Sequence, residues 1–253
     1  MRLKDKVAII TGGSRGIGYA IAAAYLREGA RVVIASRKAE PLTVAAAQLA
    51  DETGGQVHAI PAHAGQPEAL EALVAGTVEH FGGLDILVNN AATNPHFGPL
   101  VQAEESQWDK ILQVNVKGYF FASKYAAAHM AAHGGGKIVN VASVVAFQPG
   151  YMMGVYSVSK AAVVMMTKVL AQELAADNIQ VNALAPGFIR TQFSQALWTN
   201  DGLLSRLEEQ TPAGRMGDPE EIAGGAVFLA SQESNFMTGE SLIIDGGITL
   251  SGM

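Results

Sequence analysis

Short apolar runs rich in valine, isoleucine and leucine recur along this chain, each followed by a longer segment whose apolar residues repeat with a helical period. A run that is apolar at every position must be buried on both faces, and a parallel sheet covered by helices on both sides does this. The pattern places strands near 7–10, 31–35, 57–60, 85–88, 137–141, 180–184 and 241–244. Helices are expected at about 16–28, 41–53, 67–81, 104–132, 151–176 and 219–231. Pro41, Pro67 and Pro219 suit first helical turns, where a missing N–H costs nothing, and Gly29 can take the left-handed conformation that ends the first helix. The fold class is therefore α/β, a doubly wound parallel sheet of about seven strands with helices on both faces.

The chain has 253 residues, 49% of them apolar, enough to bury one large core, and no linker signal divides it. A single domain over 1–253 is expected. The net charge of −6 comes without a long basic run, which speaks against a nucleic-acid or anionic-membrane binder. There is no cysteine, so disulfides, thiolate metal sites and cysteine nucleophiles are excluded. The first apolar run is too short for a signal sequence or a membrane span, and a soluble cytoplasmic protein is expected. The stretch 188–212 departs from the alternation, mixing Phe188, Phe193 and Trp198 with polar residues. It reads as a mobile flap over a binding site, the alternative being an ordinary helical pair packed on the sheet.

Directly after the first strand comes Thr11-Gly12-Gly13-Ser14-Arg15-Gly16-Ile17-Gly18, which opens the first helix. Glycines allow a tight turn and let backbone N–H groups approach a pyrophosphate, and the helix N-terminus adds partial positive charge. After the second strand, an NAD-preferring site usually has an acid for the ribose 2′-hydroxyl. This chain has Ser36-Arg37-Lys38 there. Arg37 can pair bidentately with a 2′-phosphate, and Arg15 can approach it, so NADP(H) is favoured and NAD(H) remains open.

Tyr156 and Lys160 stand four residues apart in a helical segment, so both side chains leave the same face. An ammonium beside a phenol favours phenolate and lowers the phenol pKa toward a range useful for acid–base work. Together with the glycine spacing, this pair resembles the short-chain dehydrogenase/reductase family. The resemblance covers essentially the whole chain and includes Asn89-Asn90-Ala91-Ala92, Asn115, Ser143, Pro186-Gly187 with Thr191, Thr238-Gly239-Glu240 and Asp245-Gly246-Gly247. It implies a Rossmann-type fold. It further implies a catalytic set in which Tyr156 is the acid or base, Ser143 orients the carbonyl, Lys160 lowers the Tyr156 pKa, and Asn115 supports a proton relay reaching Lys160. Asn90, Ala91, Tyr156, Lys160, Pro186, Gly187, Ile189 and Thr191 then hold the cofactor with the loop. His63-Ala64 stands where the family often has Asp near the adenine, a departure at the adenine contact.

The expected reaction is hydride transfer between NADP(H) and a ketone or secondary alcohol. An NAD-dependent alcohol dehydrogenase, a dehydratase or epimerase, and a non-catalytic dinucleotide sensor are the alternatives. Val145, Met153, Phe188, Phe193 and Trp198, with Ser143 and Tyr156, are expected to line a mainly apolar substrate pocket, although apolar residues are also the ordinary content of a core. The histidines, His96 included, are read as spread out without ligand spacing, so no catalytic metal is expected. The resemblance also implies a homotetramer built on the long middle helices and the C-terminal segment.

Overall fold

A computed structural model describes residues 1–250. Its seven strands are β1 (Val7–Thr11), β2 (Arg31–Ser36), β3 (Val57–Pro61), β4 (Ile86–Asn89), β5 (Gly136–Val141), β6 (Ile179–Pro186) and β7 (Ser241–Ile244). The helices of the first half are α1 (Gly16–Arg27), α2 (Ala39–Thr53), α3 (Pro67–Phe81), α4 (Glu105–Leu112) and α5 (Gly118–Ala132). Those of the second half are α6 (Gly154–Leu174), α7 (Gln195–Trp198), α8 (Asp201–Gln210) and α9 (Pro219–Ala230).

All strands join one parallel sheet in the order β3-β2-β1-β4-β5-β6-β7. Alternate residues of a strand face opposite sides, and each side here meets its own helical layer. Ala8, Ile10, Val32 and Ile34 pack with buried residues of α1, α2 and α9. Their neighbours Ile9, Val33 and Ala35 pack on the other side with α3 and α5. That is why the strands show no polar alternation. The order of strands reverses at β1, whose neighbours β2 and β4 are reached by crossovers in opposite directions. The resulting crevice lies beyond the carboxyl ends of β1 and β4.

Three elements differ from the sequence expectation. The segment 104–132 is not one regular helix, because Gln113–Lys117 forms a π-helical turn between α4 and α5. The added residue per turn is commonly found at functional sites, and Asn115 lies in it. The helix expected from 151 begins at Gly154, since Met152 has a left-handed φ of 61° that interrupts helical geometry. The stretch 188–212 contains α7 and α8, neither with a fully buried residue. Ala196 and Leu197 of the first and Leu203 and Leu207 of the second line the cavities at the crevice.

Candidate active site

The glycine loop is tied to the end of β4 through Thr11. Thr11 Oγ1 accepts from the backbone N–H of Asn90 at 2.9 Å and of Ala91 at 3.1 Å, while Asn90 Nδ2 donates to Thr11 O at 2.9 Å and Gly12 O at 3.2 Å. Gly12 needs its φ of +68°, and a Cβ there would lie 2.8 Å from Asn90 Nδ2. A Cβ on Gly18 would stand 2.4 Å from Gly12 O, so Gly18 lies beneath the loop as its packing floor. Neither a side-chain cap nor an acid occupies the first turn of α1, which leaves its N–H groups directed at the crevice. These uncapped donors and the glycine cradle fit a pyrophosphate.

One cavity of about 370 Å³ runs from this loop across the carboxyl ends of the strands to Tyr156. Ser14, Arg15, Gly16, Ile17, Ser36, Arg37, His63, Ala64, Asn90 and Ala91 line one end. Ser143, Val145, Met153, Tyr156, Lys160, Pro186, Gly187, Phe188, Ile189, Thr191 and Phe193 line the rest. Arg15 donates to Gln192 Oε1 across the mouth, joining the loop to the segment before α7. Trp198 does not reach the cavity: its Nε1 donates to Thr191 O at 3.0 Å, and Leu197 lines the wall instead. Phe97 and Lys110 are further lining residues that no sequence motif marks. His63 Nδ1 accepts from Gly65 N at 2.9 Å. Burial, then Lys110 and Arg37, hold its pKa below the ordinary value.

Tyr156 and Lys160 project from the first turns of α6 and are both buried. Among the described residues no hydrogen bond engages the Tyr156 hydroxyl, and its ring centroid is 5.7 Å from that of Phe193. Lys160 Nζ donates to Val141 O at 2.6 Å and to Tyr119 Oη at 3.3 Å, and lies 5.6 Å from the Tyr156 ring centroid. Burial pushes the Tyr156 phenol above its ordinary value and brings Lys160 down to about 7. The net shift of Tyr156 is thus upward rather than downward, with burial as its cause. Tyr119, one turn after Asn115, carries no motif; its place against Lys160 comes from the packing of α5 against α6.

Ser143 precedes a short 3-10 turn, and its Oγ accepts from Val145 N at 3.4 Å, leaving the hydroxyl at the cavity wall. Asn115 lies in the π-helical turn and faces the loop after β4. Its Oδ1 accepts from Thr93 N at 2.9 Å, and its Nδ2 donates to Thr93 O at 3.0 Å and to Ser159 Oγ at 3.1 Å. The side chain clamps the loop after β4 to α6. Ser159 completes the clamp by donating to Tyr156 O at 2.7 Å. A second buried network, Asn89 to Asn140 at 2.9 Å and Asn140 to Thr167 at 2.9 Å, fixes β4, β5 and α6 beneath the site.

His96 is held by Pro99 O at 3.1 Å and serves its own turn. The reading that the histidines lack ligand spacing needs correction. His129 and His133 stand four apart at the end of α5 with ring centroids 4.0 Å apart. They do not line the cavity, and among the described residues no group of three or more His, Asp or Glu could hold a metal. One helix, Gly154–Asp177, is long and apolar enough to cross a membrane by length and composition. It carries Tyr156 and Lys160 and packs against β6, as a core helix does.

A doubly wound sheet whose crevice joins a pyrophosphate cradle to a buried phenol defines a dinucleotide-dependent oxidoreductase. Comparison with known proteins makes the class specific. A family model described as enoyl-(acyl carrier protein) reductase matches residues 12–249. Dehydrogenase/reductase SDR family member 4 of Oryctolagus cuniculus is 46% identical over 245 residues, covering 97% of this chain and 94% of the relative. Among solved structures, a gluconate 5-dehydrogenase from Burkholderia cenocepacia in complex with NADP and tartrate is 36% identical, with a TM-score of 0.94 over 98% of this chain and 97% of its own. A short-chain type dehydrogenase/reductase from Mycobacterium marinum is 37% identical, with a TM-score of 0.92 over 98% of this chain and 96% of its own. The chain belongs to the short-chain dehydrogenase/reductase family. It is an NAD(P)-dependent oxidoreductase acting on CH–OH groups, and its partners are the cofactor and a small-molecule substrate.

Proposed function

We propose that this enzyme reduces medium-sized apolar ketones with NADPH, and oxidises the corresponding secondary alcohols in reverse. The observation that carries the reading is the Tyr156 hydroxyl, buried, free of protein partners and open to a cavity walled by Val145, Met153, Phe188 and Phe193. Hydride donation and acceptance is the chemistry a bound nicotinamide dinucleotide supplies. As hydride adds to the carbonyl carbon and charge gathers on its oxygen, Tyr156 gives that oxygen its proton, and the products are a secondary alcohol and the oxidised dinucleotide. Ser143 donates a hydrogen bond to the same oxygen. Lys160, brought to about 7 by burial, carries the positive charge that offsets the phenolate and can return a proton. Val145, Met153, Phe188, Phe193 and Leu197 around Tyr156 favour an apolar substrate body, with the amides of Asn94 and Gln192 in the same lining. The 188–212 segment acts as the flap that closes this wall.

Arg37 and Arg15 both line the loop end of the cavity, with no carboxylate beside them, which supports NADP(H) over NAD(H). An absorbance screen at the nicotinamide band, with both reduced cofactors against a panel of ketones, tests the activity. Arg37→Asp is expected to move the NADPH:NADH ratio of kcat/KM toward NADH by about tenfold or more, since a carboxylate repels the 2′-phosphate. An unchanged ratio would remove Arg37 from cofactor selection.

A further inference from the structure

A second cavity of about 400 Å³ opens beneath α8. Phe97, Val145, Met153, Phe188 and Leu197 line both cavities, so the second is continuous with the wall around Tyr156. Leu203, Arg206, Leu207 and Gln210 of α8 face it. That spacing of three, four and seven residues places them on one side of the helix. Most of the remaining lining is apolar, including Val144 and Ile248. Arg206 is the one charged residue in the lining. Arg2 and Arg215, by contrast, pair with Glu28 and Glu221 at 2.6 and 2.7 Å. Among the described residues no carboxylate lies within 4.0 Å of Arg206.

The chain has 23 acidic residues, yet no Asp or Glu lines either cavity. Arg206 is exposed to solvent while lining this cavity, and a guanidinium at the solvent side of an apolar passage matches a carboxylate carried at the end of an apolar chain, because it binds both oxygens at once. We infer that the substrate is an oxo acid, or the matching hydroxy acid, whose apolar chain separates the reacting carbon from a carboxylate held by Arg206. This deepens the proposed ketone reductase and rests on it. Arg206 is a specificity-determining residue in this account, while Tyr156 acts at the other end of the same molecule.

The test compares a methyl ketone whose chain ends in a carboxylate with the methyl ester of the same acid, using NADPH and the full-length enzyme. Wild type is expected to favour the acid in kcat/KM by about tenfold, the scale of one hydrogen-bonded charge. R206M is expected to abolish that preference, R206K to restore part of it, and R206E to favour the ester. The preference should also shrink as salt is raised. An acid:ester ratio that is the same in wild type and R206M overturns the inference, even if both ketones are reduced. If neither ketone is reduced, the reductase reading fails. Calorimetric titration of the oxo acid into wild type and R206M then decides the role of Arg206 alone, equal affinity overturning it.

Discussion

Tyr156 and Lys160 are four residues apart, yet their protonation is set by where α6 carries them. Both are buried, and burial disfavours the charged form of each, raising the phenol and lowering the ammonium to about 7. An unpartnered phenol held neutral at physiological pH is suited to giving up a proton only when charge develops beside it. Replacing the hydroxyl should therefore remove chemistry and spare binding. Tyr156→Phe is expected to lower kcat by about 10²–10⁴-fold while the Kd for NADPH, read by nicotinamide fluorescence, stays within about twofold of wild type. A variant that retains most of its kcat would show that another group donates the proton.

At the scale of elements, the π-helical turn between α4 and α5 turns Asn115 inward, and its side chain ties Thr93 to Ser159. This clamp aligns the start of α6 with the crevice. A periodicity argument sees continuous apolar spacing through 104–132 and cannot detect one extra residue in a turn. Away from the cleft stand two stacked histidine pairs, one between β3 and α3 and one at the C-terminal end of α5. His58 and His80 centroids are 3.9 Å apart, and those of His129 and His133 are 4.0 Å apart. Burial first, and the neighbouring ring second, hold His58 and His129 below the ordinary value of 6.5. With a folded-state pKa lower than the unfolded one, each contributes stability that is complete above about pH 6.5 and is lost as pH falls below it. Thermal melts should therefore show Tm falling between about pH 7 and about pH 5.5, above the range where most carboxylates titrate. The double variant His58→Asn, His129→Asn, which removes both titrating rings, should fall less, and an equal fall in both proteins would assign the loss elsewhere.

For the whole molecule, two long helices leave apolar side chains in solvent. Phe120 of α5 and Val158, Met165 and Val169 of α6 are all more than 40% exposed, Met165 reaching 59%. Patches of this kind on a soluble protein mark association surfaces, and we propose that they seat a second copy of the chain in a homotetramer. Light scattering is expected to give the mass of four chains. Met165→Glu should shift the population to smaller species, because it places charge in a desolvated contact; a monomer in the wild type would refute the proposal.

The chain's own residues determined the parallel sheet, the glycine loop and the side chains at its crevice, because apolar runs, glycine spacing and a helical four-residue step are local properties. Strand order, the charge state of Tyr156 and Lys160, and the clamp made by Asn115 depend on neighbours distant in sequence. So do the turning away of Trp198 and the entry of Phe97, Lys110 and Arg206 into the walls. Each of these follows from which surfaces meet and exclude water, and no local pattern records that; only the tertiary structure could decide them.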